Sequence, residues 1–458
     1  MPNTTRRAPD RDPYILSEAA VLEPPATWRA RLRHLGPGMI LSANIVGAGE
    51  LIATTALGAR AGFVTLWVIL VSCVIKVALQ LEFGRHAISS GETSMTALNK
   101  LPGPRFGRAN WSVWAWLAIL SLKLVQGGGI VGGTAIVLGI AFPGISVPAW
   151  TALVASATFL LVFKGYYKTI EKACVIMIVM FALLTLTCVV LLQLTPFAVS
   201  WSDILGGLRF RLPKAAVGIA IAAFGLTGVG GDEIMFYNYW CIEKGYAAFT
   251  GPRTDTPEWI RRARGWIKVM HMDALLSMAV YTAVTAAFYF LGAAILHGGA
   301  AIPEGFEMVN VLSRMYTETL GPWAKGVFLL GAFIVLYSTM FAGTASMTRI
   351  IGDAVGETGL YDFHDPRTRK KVVSILAFAV PAAWSALFLL IKAPVFMVTV
   401  GGIATSVLLL IVMAAAIHFR YRRLSRDLDP GRAFDVWLWL SILTIAFIGV
   451  YGIITLLA

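Results

Sequence analysis

Charge is what this sequence has least of. Asp, Glu, Lys and Arg make up 14% of its 458 residues, against about 25% in soluble domains. With 57% hydrophobic residues and a mean hydropathy of +0.74, that scarcity excludes a soluble globular enzyme, a disordered chain and a nucleic-acid-binding domain. Cysteine is scarce as well. Cys73, Cys174, Cys188 and Cys241 lie in or beside apolar runs, with no CxxC spacing. They read as free buried thiols, not as a disulfide framework or a thiolate zinc site. The six histidines (His34, His86, His271, His297, His364, His418) fall near segment ends or in loops. A glycine-rich phosphate loop ending in Gly-Lys-Ser or Gly-Lys-Thr is missing, so ATP-driven pumping is not expected. No nucleophile–base pair sits at a membrane face, so the chain reads as a non-enzyme with no resident cofactor.

Long apolar runs are there instead. Eleven segments approach the length that crosses a bilayer. Numbered 1 to 11 in chain order, they cover roughly residues 36–59, 62–88, 111–140, 148–163, 169–194, 214–240, 268–296, 321–348, 371–391, 394–418 and 434–457. Residues 1–35 hold five prolines and six arginines. They lack the apolar stretch of a signal peptide and read as a mobile cytoplasmic tail ending in a short basic helix from Trp28 to His34. With that tail inside, 29 of the 38 Lys and Arg residues fall in cytoplasmic loops, seven outside, and Lys76 and Lys123 within segments. This bias orients a multi-pass protein of the plasma (inner) membrane with its C-terminus outside. It also accounts for the net charge of +13 without a nucleic-acid partner. The lipid bilayer is the expected surrounding, and nothing in the sequence asks for more than a monomer.

Two segments carry glycine clusters and acids at mid-depth. Segment 1 has Val46-Gly47-Ala48-Gly49-Glu50-Leu51-Ile52, and segment 6 has Val229-Gly230-Gly231-Asp232-Glu233-Ile234-Met235. The two align at an offset of 183 residues. Glycine weakens helix, and non-helical backbone at membrane depth survives only where it is buried or lines a cavity. The breaks lie five segments apart, so the two segments run in opposite directions. That is the pattern of an inverted repeat, residues 36–194 (segments 1–5) against 214–418 (segments 6–10), with a substrate site where the broken helices meet. Segment 11, residues 434–457, is an addition.

Glu50, Asp232 and Glu233 each begin a half-helix. They can cap its positive end, or bind a cation or an exchanging proton. Gly47, Val229 and Gly230 would add backbone groups, and oxygen donors of this kind suit magnesium, calcium or manganese. Lys76 and Lys123 are candidates for coupling or charge balance, pairing with an acid or with freed carbonyls. Ser338 and Thr339 of segment 8 could satisfy neighbouring backbone or hold sodium. Gly127-Gly128-Gly129 with Gly132-Gly133 in segment 3 should allow close helix packing.

Gly36-Pro37-Gly38, the segment-1 break and Leu66-Trp67-Val68 together resemble the natural resistance-associated macrophage protein (Nramp) family of divalent-metal transporters. The resemblance implies an all-α membrane protein with the LeuT-type 5+5 inverted repeat, eleven transmembrane helices and helices 1 and 6 broken. It also implies alternating-access transport of a divalent metal cation. The chain departs from the family where metal binds. Gly47-Ala48-Gly49-Glu50 stands for the family's Asp-Pro-Gly-Asn, and Gly230-Gly231-Asp232 for its Met-Pro-His. Loss of the soft methionine ligand favours a harder ion, Mg2+ or Mn2+, held by Glu50, Asp232 and Glu233 and coupled to protons. The rival reading is a Na+- or H+-coupled symporter of an amino acid or other small organic solute, which requires a larger, aromatic-lined pocket.

Overall fold

In the computed structural model, residues 12–47, 49–298, 311, 313, 317 and 321–457 are described. Residues 1–11 of the tail and Ala48 of the first break lie outside them. Helix covers each of the eleven apolar segments. By length and composition, nine helices among the described residues are able to cross a membrane, and Val147–Val162 is a shorter apolar helix.

Segment 7 starts earlier than its apolar run. Its helix begins at Pro257, where the Thr256 hydroxyl accepts from Trp259 N and proline occupies the first turn. Trp259, Ala263, Trp266 and Ile267 then bury one face of an otherwise polar stretch, at helical spacing. Segment 8 likewise extends as one helix, Ala324–Glu357. A two-stranded hairpin, Arg105–Phe106 with Ala109–Asn110, and a short helix, Trp201–Gly207, closed by a Ser200–Asp203 capping box, follow from local turn and cap chemistry rather than from hydropathy.

The described part of the tail is docked, which corrects the expectation of a mobile one. Leu22 N donates to Phe249 O at 3.0 Å, and Trp266 Nε1 donates to Leu22 O at 2.9 Å. Tyr14 Oη donates to Glu243 at 2.9 Å, and Asp12 pairs with Arg369. Apolar and aromatic anchors spaced among charged residues hold it, a signal that a charge-and-proline reading passes over. The short basic helix is present as Trp28–Leu32, capped by Thr27.

The glycine stripe of segment 3 is a packing surface, as expected. A Cβ on Gly127 would lie 2.1 Å from the Trp384 ring, one on Gly132 2.1 Å from Phe388, and one on Gly129 2.7 Å from Pro394 O. Segments 9 and 10 therefore approach segment 3 at backbone distance. The four cysteines are free and buried.

Asp273 of segment 7 clamps the start of segment 1. Its carboxylate accepts from Gly36 N at 2.8 Å and Gly38 N at 2.6 Å, and from Tyr237 Oη at 2.9 Å. The helix Pro37–Ile45 thus has an anion at its positive end. A Cβ on Gly38 would lie 2.8 Å from Asp273 O, which gives the Gly-Pro-Gly motif its physical reason.

Outside the membrane segments, Glu92 ties three elements together. It pairs with His86 at 3.0 Å, Lys100 at 2.7 Å and Arg423 at 2.7 Å. Burial works to raise its carboxyl, but those partners hold it down, to about 2. The folded value lies below the ordinary one, so the stabilisation is complete above about pH 4.5 and fades as pH falls toward 2. The expected result is that Glu92→Gln unfolds at lower temperature than wild type at pH 6, and that this gap narrows as the pH is lowered below about 4.5. Thermal unfolding across that pH range checks it.

Candidate metal-binding centre

Both breaks are present where the glycines fall. The first half of segment 1 ends at Ile45 and the chain resumes a wide helical turn at Gly49–Thr54. The first half of segment 6 ends at Leu226, Gly228 adopts a positive φ of 67°, and the second half starts at Gly231. Each restart is capped in the same way. Gly47 N donates to Glu50 Oε2 at 3.1 Å, and Gly230 N donates to Glu233 Oε2 at 3.1 Å. The 183-residue offset that aligns the two motifs also aligns these two bonds, so the capping role of both glutamates follows from repeat symmetry.

The carbonyls released at the breaks are already engaged. Lys76 Nζ donates to Phe224 O at 2.8 Å and Thr227 O at 2.6 Å, and Ser72 Oγ bonds the same two oxygens. At the other break, Ser338 Oγ donates to Ala43 O at 3.2 Å. The Thr339 hydroxyl lies 3.4 Å from Ala43 O, 3.5 Å from Val46 O and 3.2 Å from Val335 O. Lys76 therefore completes the backbone of segment 6 by donating to its released carbonyls. Its replacement by methionine leaves the single hydroxyl proton of Ser72 to serve two buried carbonyls, so one goes unpaired at a cost of about 1–3 kcal/mol. Lys76→Met should therefore unfold at clearly lower temperature than wild type, which a fluorescence melt of the purified protein reads directly.

A cavity of about 60 Å³ opens between the broken helices and segments 3, 8 and 9. One water needs about 10–15 Å³ of such space, so this one suits a small ion with a few waters. It falls well short of the roughly 300–1,000 Å³ of drug-sized ligand pockets. Asn44, Lys123, Gln126, Asp232, Glu233, Thr339 and Met347 line it beside the apolar and aromatic Ile45, Ile130, Leu226, Phe236 and Trp384, with Gly49 and Gly228 at the breaks.

Of the residues singled out from sequence, Asp232, Glu233, Lys123, Thr339 and Gly127 line this cavity. Gly47, Glu50, Val229 and Gly230 are not among its lining residues. Glu50 is fully buried, turned back onto Gly47 N, with Oε1 unpartnered. Asp232 is 2.6 Å from Lys123 Nζ, and that ammonium also donates to Thr405 Oγ1 at 2.7 Å. Asp232 has no oxygen in a directed hydrogen bond, so the contact is an ion pair with coordinating capacity left over. Glu233 Oε1 accepts from Asn44 Nδ2 at 2.9 Å. Asn44, Gln126, Met347 and Trp384 carried no signal in one dimension, because four different segments bring them together. With one lysine against two acids, the cavity has a formal charge of −1, a setting for a cation.

A family model described as natural resistance-associated macrophage protein-like matches residues 38–455. The chain belongs to this family. Among Nramp-type relatives, it is 25% identical to the divalent metal cation transporter MntH of Verminephrobacter eiseniae, over 77% of this chain and 74% of that one. It is 28% identical to MntH of Xylella fastidiosa, over 75% of this chain and 67% of the relative. Among solved structures, the Eremococcus coleocola manganese transporter superposes with a TM-score of 0.70 at 15% identity, covering 94% of this chain and 88% of that one. At that identity the likeness shows the shared fold, in keeping with the broken-helix architecture described above.

Proposed function

We propose that the protein is a secondary active transporter of a divalent metal cation, Mg2+ or Mn2+, working by alternating access around the central cavity. Membership of the Nramp family supports the class of cargo. The observation that carries the site is the cavity itself, small, net negative and bounded by both helix breaks. Glu233, Asp232, Asn44 and Gln126 line it, and side-chain oxygens of these residue types suit hard cations. The break carbonyls of Phe224 and Thr227 are occupied by Lys76, so the ion keeps part of its water. Met347 offers the one sulfur at the cavity wall, on segment 8 instead of segment 6.

Lys123 is the competitor for Asp232. Entry of a dication weakens the Lys123–Asp232 pair, because both cations share one carboxylate. On this reading Lys123 is the charge-balancing group of the cycle, and Glu233, which has no lysine partner of its own among the described residues, is the proposed proton-exchanging one. The proposed topology has eleven crossings of the plasma (inner) membrane, a cytoplasmic N-terminus and an external C-terminus, supported by the lysine and arginine bias of the loops.

Uptake into proteoliposomes of the purified protein tests the function. Saturable Mn2+ or Mg2+ uptake, lost in Glu233→Gln and driven by an inward proton gradient, is the expected result. Amino-acid uptake without dication flux would replace it with the organic-solute symporter, a reading that the cavity volume disfavours.

A further inference from the structure

We infer that Asp353, Glu357 and His364 form a second divalent-cation site, outside the central cavity, at the far end of the segment 8 helix. Asp353 and Glu357 stand one helical turn apart on Ala324–Glu357, so their side chains share a face. The chain then reverses through Gly359, at φ 93°, and returns His364 to that face. Buried Phe363 and the Tyr361 Oη bond to Gly352 O at 2.6 Å hold the return in place. One ligand atom from each of the three residues lies within 4.8 Å of the others. Ligand atoms around a transition metal at about 2.1 Å stand roughly 3–4 Å apart, so small side-chain rotations close the shell.

A second observation points to a ligand. Asp353 is 1% exposed. Its Oδ2 accepts from Tyr239 Oη at 2.5 Å, but its Oδ1 is in no directed hydrogen bond among the described residues, because the neighbouring Thr93 hydroxyl donates to Thr96 Oγ1 at 2.9 Å. A carboxylate oxygen left so in a protein interior is costly, and a bound cation removes that cost. Thr96 Oγ1 lies 2.7 Å from Glu357 Oε1 and 3.3 Å from His364 Nε2, where a hydroxyl oxygen can complete the shell. Asn99 Nδ2 donates to Glu357 Oε2, which orients that carboxylate. Of the nearby cations, Arg369 is already engaged by Asp12 and by the carbonyls of Phe363 and His364, and Arg105 by Asn99 and Arg108 O.

Two carboxylates with one imidazole suit a borderline metal such as Mn2+, Co2+ or Zn2+ better than Mg2+. The site is also mechanically placed. Asp353 follows Met347 of the central cavity by six residues on one helix, a rise of about 9 Å. Through Tyr239 it also holds the half-helix Gly231–Lys244 that carries Asp232 and Glu233. An ion here ties segments 6 and 8, the short helix Ser94–Asn99 and the return loop into one unit. The site stands whether or not the central cavity carries metal.

Co2+ titration of the full-length purified protein, followed by equilibrium dialysis and visible absorption, tests the inference. Wild type should bind one more Co2+ equivalent than His364→Ala, or bind that equivalent at least tenfold more tightly. Asp353→Asn should show the same loss, and both variants should elute as folded protein. His364 lies in a loop, so its variant carries the test if Asp353→Asn does not fold. Equal stoichiometry and affinity in wild type and His364→Ala would overturn the site and leave the cluster as a hydrogen-bonded anchor for the loop.

Discussion

Gly47→Ala is expected to lose most of its folded yield and all measurable transport. A Cβ at that position would lie 1.9 Å from Thr339 Oγ1 and 2.9 Å from Thr339 Cβ. The Thr339 hydroxyl cannot simply swing away, because it sits among the carbonyls of Ala43, Val46 and Val335. Overpacking a core by less than this costs about 1–3 kcal/mol. The contact also lies at the break that must flex during transport. Gly47→Asp meets the same wall and adds a charge. Thr339→Gly removes the obstacle, so the double variant Gly47→Ala, Thr339→Gly should recover much of the yield that the single variant loses. Gel-filtration yield and thermal unfolding of the three variants decide the matter. A Gly47→Ala protein as stable and active as wild type would mean that segments 1 and 8 do not approach as described.

Lys123→Met should be the most destabilising change at the cavity wall. It leaves Asp232, 1% exposed, without the ammonium 2.6 Å away. Removing one partner of a buried ion pair costs about 3–5 kcal/mol. Neutralising both sides with Lys123→Met and Asp232→Asn should restore much of that loss, and the double-mutant cycle should return a coupling of about 2 kcal/mol or more. Function moves the other way. Without Lys123 the cavity gains one net negative charge, so the Lys123→Met molecules that fold should bind Mn2+ more tightly than wild type and release it more slowly. Weaker Mn2+ binding in Lys123→Met would contradict the role of Lys123 as competitor for Asp232.

The sequence was most legible where one residue type recurs along the chain. Apolar runs placed the segments, and the glycine–acid motifs placed both breaks and their symmetry. The small residues of segment 3 announced a close helix approach, but not that segments 9 and 10 are the neighbours. Legibility failed where function depends on direction. Glu50 and Glu233 hold equivalent places in the repeat and cap equivalent amides, yet only Glu233 faces the cavity. Their surroundings come from different segments, and a motif does not record which way a broken helix turns. Asn44, Gln126, Met347 and Trp384 were invisible for the same reason. Asp273 was not singled out from sequence, because only the fold brings Gly36 and Gly38 to it. His364 gave no sign of its place beside Asp353 and Glu357, because the reversal after Glu357 brings it back. The basic tail misled more directly, since its anchors are single aromatic and apolar residues among charges.

The most direct test of the central cavity as the carrier site is a crystal structure of the Mn2+-soaked protein with data collected at the manganese absorption edge. An anomalous peak within coordinating distance of Glu233 and Asp232, bounded by Asn44 and Gln126 and missing in Glu233→Gln crystals, is the expected result. A fully occupied peak elsewhere along the path, with the Lys123–Asp232 pair undisturbed and the cavity empty of metal, would contradict it.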